Sequence, residues 1–210
     1  MILTVGNTKG GVGKTTLALQ LALYLARGGG DVLAVDGDRQ GTLQSAITAR
    51  SEAGRSPSLA CAWLPDGPAL RAQLQAQAPR YGHVVIDVGG RDSSALRAAL
   101  VLTDTLLVPF APRSFDVWAL DDLAGLVEEA RSVRDGLRVL CMLNGADQAG
   151  RDNREAAEAA QAAGFEYLDA PLRRRKALAN ACALGLHVDE FRPRDKKASA
   201  EVAALVTALL

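Results

Sequence analysis

Five apolar runs punctuate the chain: ILTVG from Ile2, VLAVD from Val32, HVVIDV from His83, TLLVPF from Thr105 and RVLCMLN from Arg138. Short continuous runs of this kind read as strands buried on both faces, the condition of strands in a parallel sheet. Between them, over residues 14–27, 68–78, 93–102, 115–134 and 152–163, apolar side chains recur at spacings of three and four, the single stripe of a helix packed on a sheet. Further helices are expected near Gly41, over 177–184 and over 200–210, with a strand near Tyr167. Strand–helix alternation predicts a doubly wound α/β fold, a mostly parallel sheet with helices on both faces. Residues 51–67, rich in Ser, Gly and Pro, read as a loop holding at most an edge strand, and 187–199 is the other long irregular stretch.

Length adds that residues 1–210 fit one domain, since a chain of this size can bury one continuous core. Hydrophobic residues make up 49% and charged residues 23%, with zero formal net charge, which excludes a disordered or generally cationic polymer binder. Any nucleic-acid contact must therefore come from a local patch. Cys61, Cys141 and Cys182 stand apart with no C-x-x-C pair, so no disulfide framework, zinc site or iron–sulfur site is read from them. They suit a reducing cytoplasm. No charged-then-apolar leader precedes the first strand, and no run reaches the roughly 18 apolar residues of a membrane span. The expectation is a soluble, unprocessed, cytoplasmic protein.

Chemistry concentrates where the first strand meets the first helix. There the run Lys9, Gly10, Gly11, Val12, Gly13, Lys14, Thr15, Thr16 follows Asn7 and Thr8. A helix N-terminus converges backbone N–H groups on an anion, and glycines let the backbone wrap a phosphate without Cβ clashes. Lys14 can reach the β- and γ-phosphates of ATP, and the Thr15 hydroxyl can ligate Mg²⁺. The strict G-x-x-x-x-G-K-[ST] pattern fails because Thr8 stands at its first glycine; the loop carries an extra lysine, Lys9, instead. A dinucleotide fingerprint is disfavoured, since it would need glycine at Thr16.

KGGVGKTT resembles the deviant Walker A motif of the ParA/MinD superfamily, with Lys9 at the signature lysine. The resemblance extends along most of the chain. VDGDRQGT from Val35 resembles the D-x-D-P-Q-G motif, VVIDVGG from Val84 the Walker B strand end, and TDTLLVPFAPRSFDVWAL the next strand and helix entry. Two places depart from the family: Arg39 replaces the usual proline, and Val88-Gly89-Gly90 replaces the commoner proline-bearing turn after Asp87. Small partition ATPases without an N-terminal helix-turn-helix are nearest in length, and this chain begins directly at its first strand.

Asp36 and Asp87 each end a strand, where an open α/β sheet places its ligand. Asp87 is assigned to holding Mg²⁺ through water, and Asp36 to the waters around the metal or to a lysine. The resemblance gives Asp38 the task of orienting the attacking water; capping the helix near Gly41 is the other reading of this residue. Lys14 already supplies the cation beside its own nucleotide, so Lys9 should point elsewhere. The resemblance implies that Lys9 crosses a twofold axis to the partner's ATP in an ATP-dependent homodimer. Asn144, ending a strand, is a candidate for adenine contact or for turn chemistry.

Arg173, Arg174, Arg175 and Lys176 form the densest charge run in a neutral protein, just before the helix at 177–184. Cations at a helix N-terminus oppose the macrodipole, which suggests a ligand, and DNA phosphates are the expected one. Family members bind DNA without sequence preference through basic residues in this third of the chain. Arg192, Arg194, Lys196 and Lys197 make a second patch. His83 and His187 are read as structural or surface residues, and Trp63 and Trp118 as core or interface. EVAALVTALL at the end lacks the cationic face of a membrane-surface helix.

These features resemble a ParA-type Mg²⁺-dependent ATPase whose ATP-bound dimer sits on nucleoid DNA. Hydrolysis, stimulated by a ParB-like or other adaptor protein, would release it to partition or position a cargo. The alternatives are a dethiobiotin-synthetase-like metabolic enzyme, or a MinD-like membrane-cycling regulator, for which the last helix is poorly suited. A nitrogenase-iron-protein-like reductase is disfavoured by the unpaired cysteines.

Overall fold

The computed structural model describes residues 1–112, 117–147 and 151–210. Its strands are β1 (Ile2–Val5), β2 (Val32–Gly37), β3 (Ala60–Trp63), β4 (His83–Val88), β5 (Thr105–Phe110), β6 (Arg138–Ala146), β7 (Glu166–Tyr167) and β8 (Leu172–Arg173). Helices are α1 (Lys14–Arg27), α2 (Thr42–Glu52), α3 (Gly67–Gln77), α4 (Ser94–Leu102), α5 (Val117–Val133), α6 (Arg151–Ala162), α7 (Lys176–Ala183) and α8 (Lys196–Leu209). The first two positions of the helix expected over 115–134 lie outside the described residues. In the sheet the strands run β3-β2-β4-β1-β5-β6-β7, every pair parallel, and β8 continues beside β6 after a register shift between Asn144 and Ala146. The doubly wound parallel sheet is thus the one the apolar runs predict.

Side chains leaving a strand alternate between its faces, and both faces of this sheet are covered. Along β4, Val84, Ile86 and Val88 enter a core built with α3, α4, α5 and α6, while Val85 enters the opposite core with α1, α7 and α8. A smaller cluster of Leu19, Leu23, Leu43, Ala46 and Ile47 fastens α2 to α1.

One helix cap and one helix start differ from expectation. α2 begins at Thr42 with Gly41 as its N-cap, so Asp38 does not cap it. Asp36 reaches the first turn instead, its Oδ2 accepting from the Gln44 N–H at 2.9 Å. α8 begins at Lys196 rather than near residue 200, because the Asp195 carboxylate accepts from the N–H groups of Lys197 and Ala198, a side-chain cap that sets the helix start.

The irregular stretch after α7 is held by buried polar contacts. Gln20 donates to the Leu186 carbonyl at 3.0 Å and accepts from the Val188 N–H at 2.7 Å. Arg50, 1% exposed, binds Glu190 at 2.8 and 3.0 Å and also donates to the carbonyls of Gly185 and Pro57. His187 is fully buried, and its Nδ1 accepts from Arg27 at 2.6 Å.

Candidate functional site

The chain leaves β1 for β2 and β3 on one side, returns through β4, and crosses to β5 on the other, so the C-terminal ends of β1, β2 and β4 flank a topological switch point. From the end of β1 runs the glycine-rich loop. Asn7 and Asn144 brace it. Asn7 donates to the Pro109 carbonyl at 2.9 Å and accepts from the Lys9 N–H at 3.0 Å, while Asn144 donates to the Val12 carbonyl at 2.7 Å. Gly13 has φ of 83°, and a Cβ there would lie 2.4 Å from Asn144 Nδ2, so the brace and the turn into α1 both require glycine.

Lys14 is buried behind this loop, and its Nζ donates to the Lys9 carbonyl at 2.8 Å. Burial pushes its ammonium below the ordinary lysine range, with Asp87 and Asp38 pulling the other way. The turn after β4 lies directly on the loop: a Cβ on Gly90 would come within 2.8 Å of Gly10 Cα and 3.2 Å of Lys14 Nζ. Only glycine allows that approach at residue 90, whereas a Cβ on Gly89 would meet Asp38 at an ordinary 3.5 Å.

Over the loop opens a cleft of about 970 Å³, large enough for a nucleotide. Gly10, Gly11, Gly13, Lys14, Thr15, Thr16 and Asp38 line it. Arg39 and Arg91, both exposed, line it too, although sequence patterns gave no chemical role to either. Lys9, Val12, Asp36, Asp87 and Asn144 are not in the lining. Asp38 takes a fixed pose, its N–H donating to Asp36 and its Oδ1 accepting from the Gln40 N–H, each at 3.0 Å.

Asp36 and Asp87 are Cα partners across β2 and β4, 0% and 1% exposed. Asp36 accepts backbone N–H groups on both oxygens, yet burial still pushes its carboxyl up. Neither oxygen of Asp87 has a hydrogen-bond partner. Burial pushes Asp87 up to about 7, opposed by Thr15, whose hydroxyl is near without meeting hydrogen-bond geometry, and by Lys14. An orphaned buried carboxylate beside a threonine hydroxyl and a lysine is a donor set that fits a hydrated, hard divalent cation shared with phosphate oxygens. Among the described residues no group of three or more His, Cys, Asp or Glu side chains is placed to hold a metal ion, so protein side chains alone do not complete such a shell.

Away from the cleft, the basic run differs from its sequence reading. Arg173 belongs to β8 and Arg175 is the N-cap of α7, so the chain is extended and alternate side chains point to opposite sides. Arg173 and Arg175 both bind Glu201 of α8, at 3.0 and 2.6 Å, and Arg175 also reaches Asp195 at 3.7 Å. The cations expected to burden a bare helix terminus are therefore half neutralised. Arg174 and Lys176 remain exposed, with no ion pair among the described residues. In the second patch Arg194 pairs with Asp189 at 3.2 Å, while Lys196 and Lys197 are exposed on the first turn of α8.

Of the two readings of Trp63, core and interface, the core one fails: it is 52% exposed, at the end of β3 beside Asp38. Trp118 lies where side chains are not described.

The model of the CobQ/CobB/MinD/ParA nucleotide binding domain matches residues 3–188. Maintenance of carboxysome distribution protein A from Halothiobacillus neapolitanus is 27% identical over 203 residues, covering 95% of this chain and 92% of that protein. The chromosome-partitioning ATPase Soj from Thermus thermophilus is 33% identical over 162 residues, 64% of this chain and 63% of Soj. Among solved structures, a putative plasmid partition protein from Borrelia burgdorferi bound to AMPPNP superposes with a TM-score of 0.79 at 19% identity, over 99% of this chain and 97% of that one, a likeness of fold.

Proposed function

The chain belongs to the CobQ/CobB/MinD/ParA nucleotide-binding family, and from that premise we propose that it is a ParA-type ATPase, a nucleotide switch that positions a large cargo on DNA. The observation that carries the reading is Asp87, a buried carboxylate without a partner, set beside Lys14 and Thr15 under the cleft.

In this reading Lys14 leaves the Lys9 carbonyl to bind the β- and γ-phosphates, and the backbone N–H groups of residues 10–16 cradle them. Thr15, and Asp87 through water, would hold Mg²⁺, with Asp36 supporting that arrangement, and the bound ion would supply charge neutralisation at the phosphate oxygens. Asp38 orients the attacking water. Lys9 reaches the ATP of a second subunit, so the dimer depends on nucleotide, and Asn144 holds the loop beside the adenine. Exposed cations at Arg174 and Lys176, with Arg173 and Arg175 behind them, offer a DNA-phosphate surface without sequence preference.

The relatives named above are called proteins of carboxysome distribution, chromosome partitioning and plasmid partition, and the proposal carries over what these share. A ParB-like or other adaptor would stimulate hydrolysis and so release the dimer from nucleoid DNA. α8 spends its apolar face on the core through Ala198, Val202, Leu205, Val206 and Leu209, which makes that helix unsuited to lying on a membrane surface. Among the described residues no helix is long and apolar enough to cross a membrane.

Light scattering of the parent, Lys9→Ala and Asp38→Ala with ATP, ADP or no nucleotide tests the cycle. The parent should dimerise only with Mg²⁺ and ATP, Asp38→Ala should accumulate as a long-lived ATP dimer, and Lys9→Ala should bind ATP as a monomer. Dimerisation of Lys9→Ala at the parental concentration dependence would remove the trans-lysine. Rapid DNA-independent turnover of a small co-substrate by a monomer would favour the metabolic alternative.

A further inference from the structure

Trp63 spends little of its apolar surface on folding, since more than half of it faces solvent. What it does contribute is directional. β3 pairs in parallel with β2 so that the Cα of Trp63 lies opposite that of Asp36, and the Leu64 N–H donates to the Asp36 carbonyl at 2.7 Å. This register delivers the indole to the loop beyond β2. There Nε1–H donates to the Asp38 carbonyl at 2.8 Å, and the ring lies against Gly41, where a Cβ would be 3.7 Å from Nε1. The same carbonyl also accepts from the Gly41 N–H at 3.1 Å.

That carbonyl belongs to the peptide joining Asp38 to Arg39, and both residues line the cleft. The Asp38 N–H and Oδ1 are already fixed by Asp36 and Gln40. With the carbonyl fixed as well, the backbone of Asp38 is constrained on both sides of its Cα, and its carboxylate stays beside Gly89, within 3.6 Å of where a Cβ would stand. Phenylalanine or tyrosine would fill an edge strand equally well but has no N–H at this place.

We propose that Trp63 is a positioning residue for ATP hydrolysis, its indole N–H clamping the Asp38–Arg39 peptide so that the Asp38 carboxylate is held toward the cleft. The inference rests on the reading of Asp38 as the group that orients water. Trp63 touches neither nucleotide nor water; it acts through Asp38.

The test compares Trp63→Phe, Trp63→Ala, Asp38→Ala and the Trp63→Phe/Asp38→Ala double variant in the full chain, measuring kcat, ATP affinity without turnover, and urea unfolding. Loss of one hydrogen bond that matters in the transition state should lower kcat roughly two- to tenfold in both Trp63 variants. ATP affinity and the unfolding midpoint of Trp63→Phe should stay at the parental values, and the residual turnover of Asp38→Ala should not fall further in the double variant. Parental kcat in Trp63→Phe, or an equal loss in the Asp38→Ala background, would overturn the clamp while leaving Asp38 its role. Parental turnover in Asp38→Ala itself would overturn the role of Asp38, and the clamp with it.

Discussion

Asp36 and Asp87 stand opposite each other as Cα partners on β2 and β4, yet their carboxylates are treated in opposite ways: Asp36 accepts two backbone N–H groups, and Asp87 accepts none. One carboxylate is used to build the loop and helix that follow it. The other is left with its hydrogen-bonding capacity unspent in the interior, an arrangement that costs stability and that a bound cation would relieve.

Replacing each residue should separate the two tasks. Asp36→Ala leaves two N–H groups without an acceptor and should destabilise the protein by about 1–3 kcal/mol in urea unfolding. Asp87→Asn removes a buried, unpartnered charge, so its stability should equal or exceed the parent's while Mg²⁺-dependent ATP turnover is lost. Parental turnover in Asp87→Asn would take the metal away from this residue.

Lys14→Ala should abolish ATP binding in calorimetry, because it removes the buried ammonium that lines the cleft at the head of α1 and offsets the β- and γ-phosphate charge. Undiminished affinity would sink the phosphate-loop assignment.

How much of this was legible in the sequence depended on range. The five major strands and the start of α1 at Lys14 follow from local patterns: apolar runs, and a glycine-rich loop that must end where a helix begins. Interactions set by tertiary neighbours were not legible. Arg173 and Arg175 looked like free cations because Glu201, which binds them, lies 28 and 26 residues further along the chain. Asp36 gave no sign of satisfying the first turn of α2, since the acceptor sits eight residues upstream of its donor Gln44. Trp63 ends an edge strand in a Ser-, Gly- and Pro-rich stretch, and its partnership with Asp38 exists only through the β2–β3 register.

Acid stability should report on His187. Burial, helped by Arg27, lowers its imidazole from 6.5 to about 4, so the folded protein keeps it neutral where the unfolded chain takes up a proton. The sign is that of a depressed pKa: the contribution is complete above about pH 6.5 and is lost as pH falls toward 4, amounting to roughly 3 kcal/mol. Asp87, raised from 3.8 to about 7, works in the opposite direction across that whole window, but it is common to parent and variant. Unfolding free energies of the parent and His187→Gln should therefore converge as pH is lowered from 6.5 to 4. A constant difference across that range would show that His187 does not titrate on unfolding.

The basic run divides into two pairs with different expected effects. Arg174→Ala/Lys176→Ala should weaken DNA binding without changing stability, and in a symmetric dimer up to four lost phosphate contacts would reduce the salt slope of log K by at most ~3.6. Arg173→Ala/Arg175→Ala also strands Glu201, 10% exposed at its side chain, so it should lower the unfolding midpoint as well. Anisotropy over a salt series, beside urea unfolding, separates the pairs; unaltered slope and affinity in the first double variant would move suspicion to Arg192, Arg194, Lys196 and Lys197.

Fluorescence anisotropy of two labelled duplexes of unrelated sequence, titrated with the parent protein in ATP, ADP and no nucleotide, tests the switch itself. Tight, salt-sensitive binding to both duplexes is expected with Mg²⁺ and ATP, weak binding in the other two states, and release on the timescale of hydrolysis. Equal affinity in all three nucleotide states, or no binding in any of them, would contradict the switch.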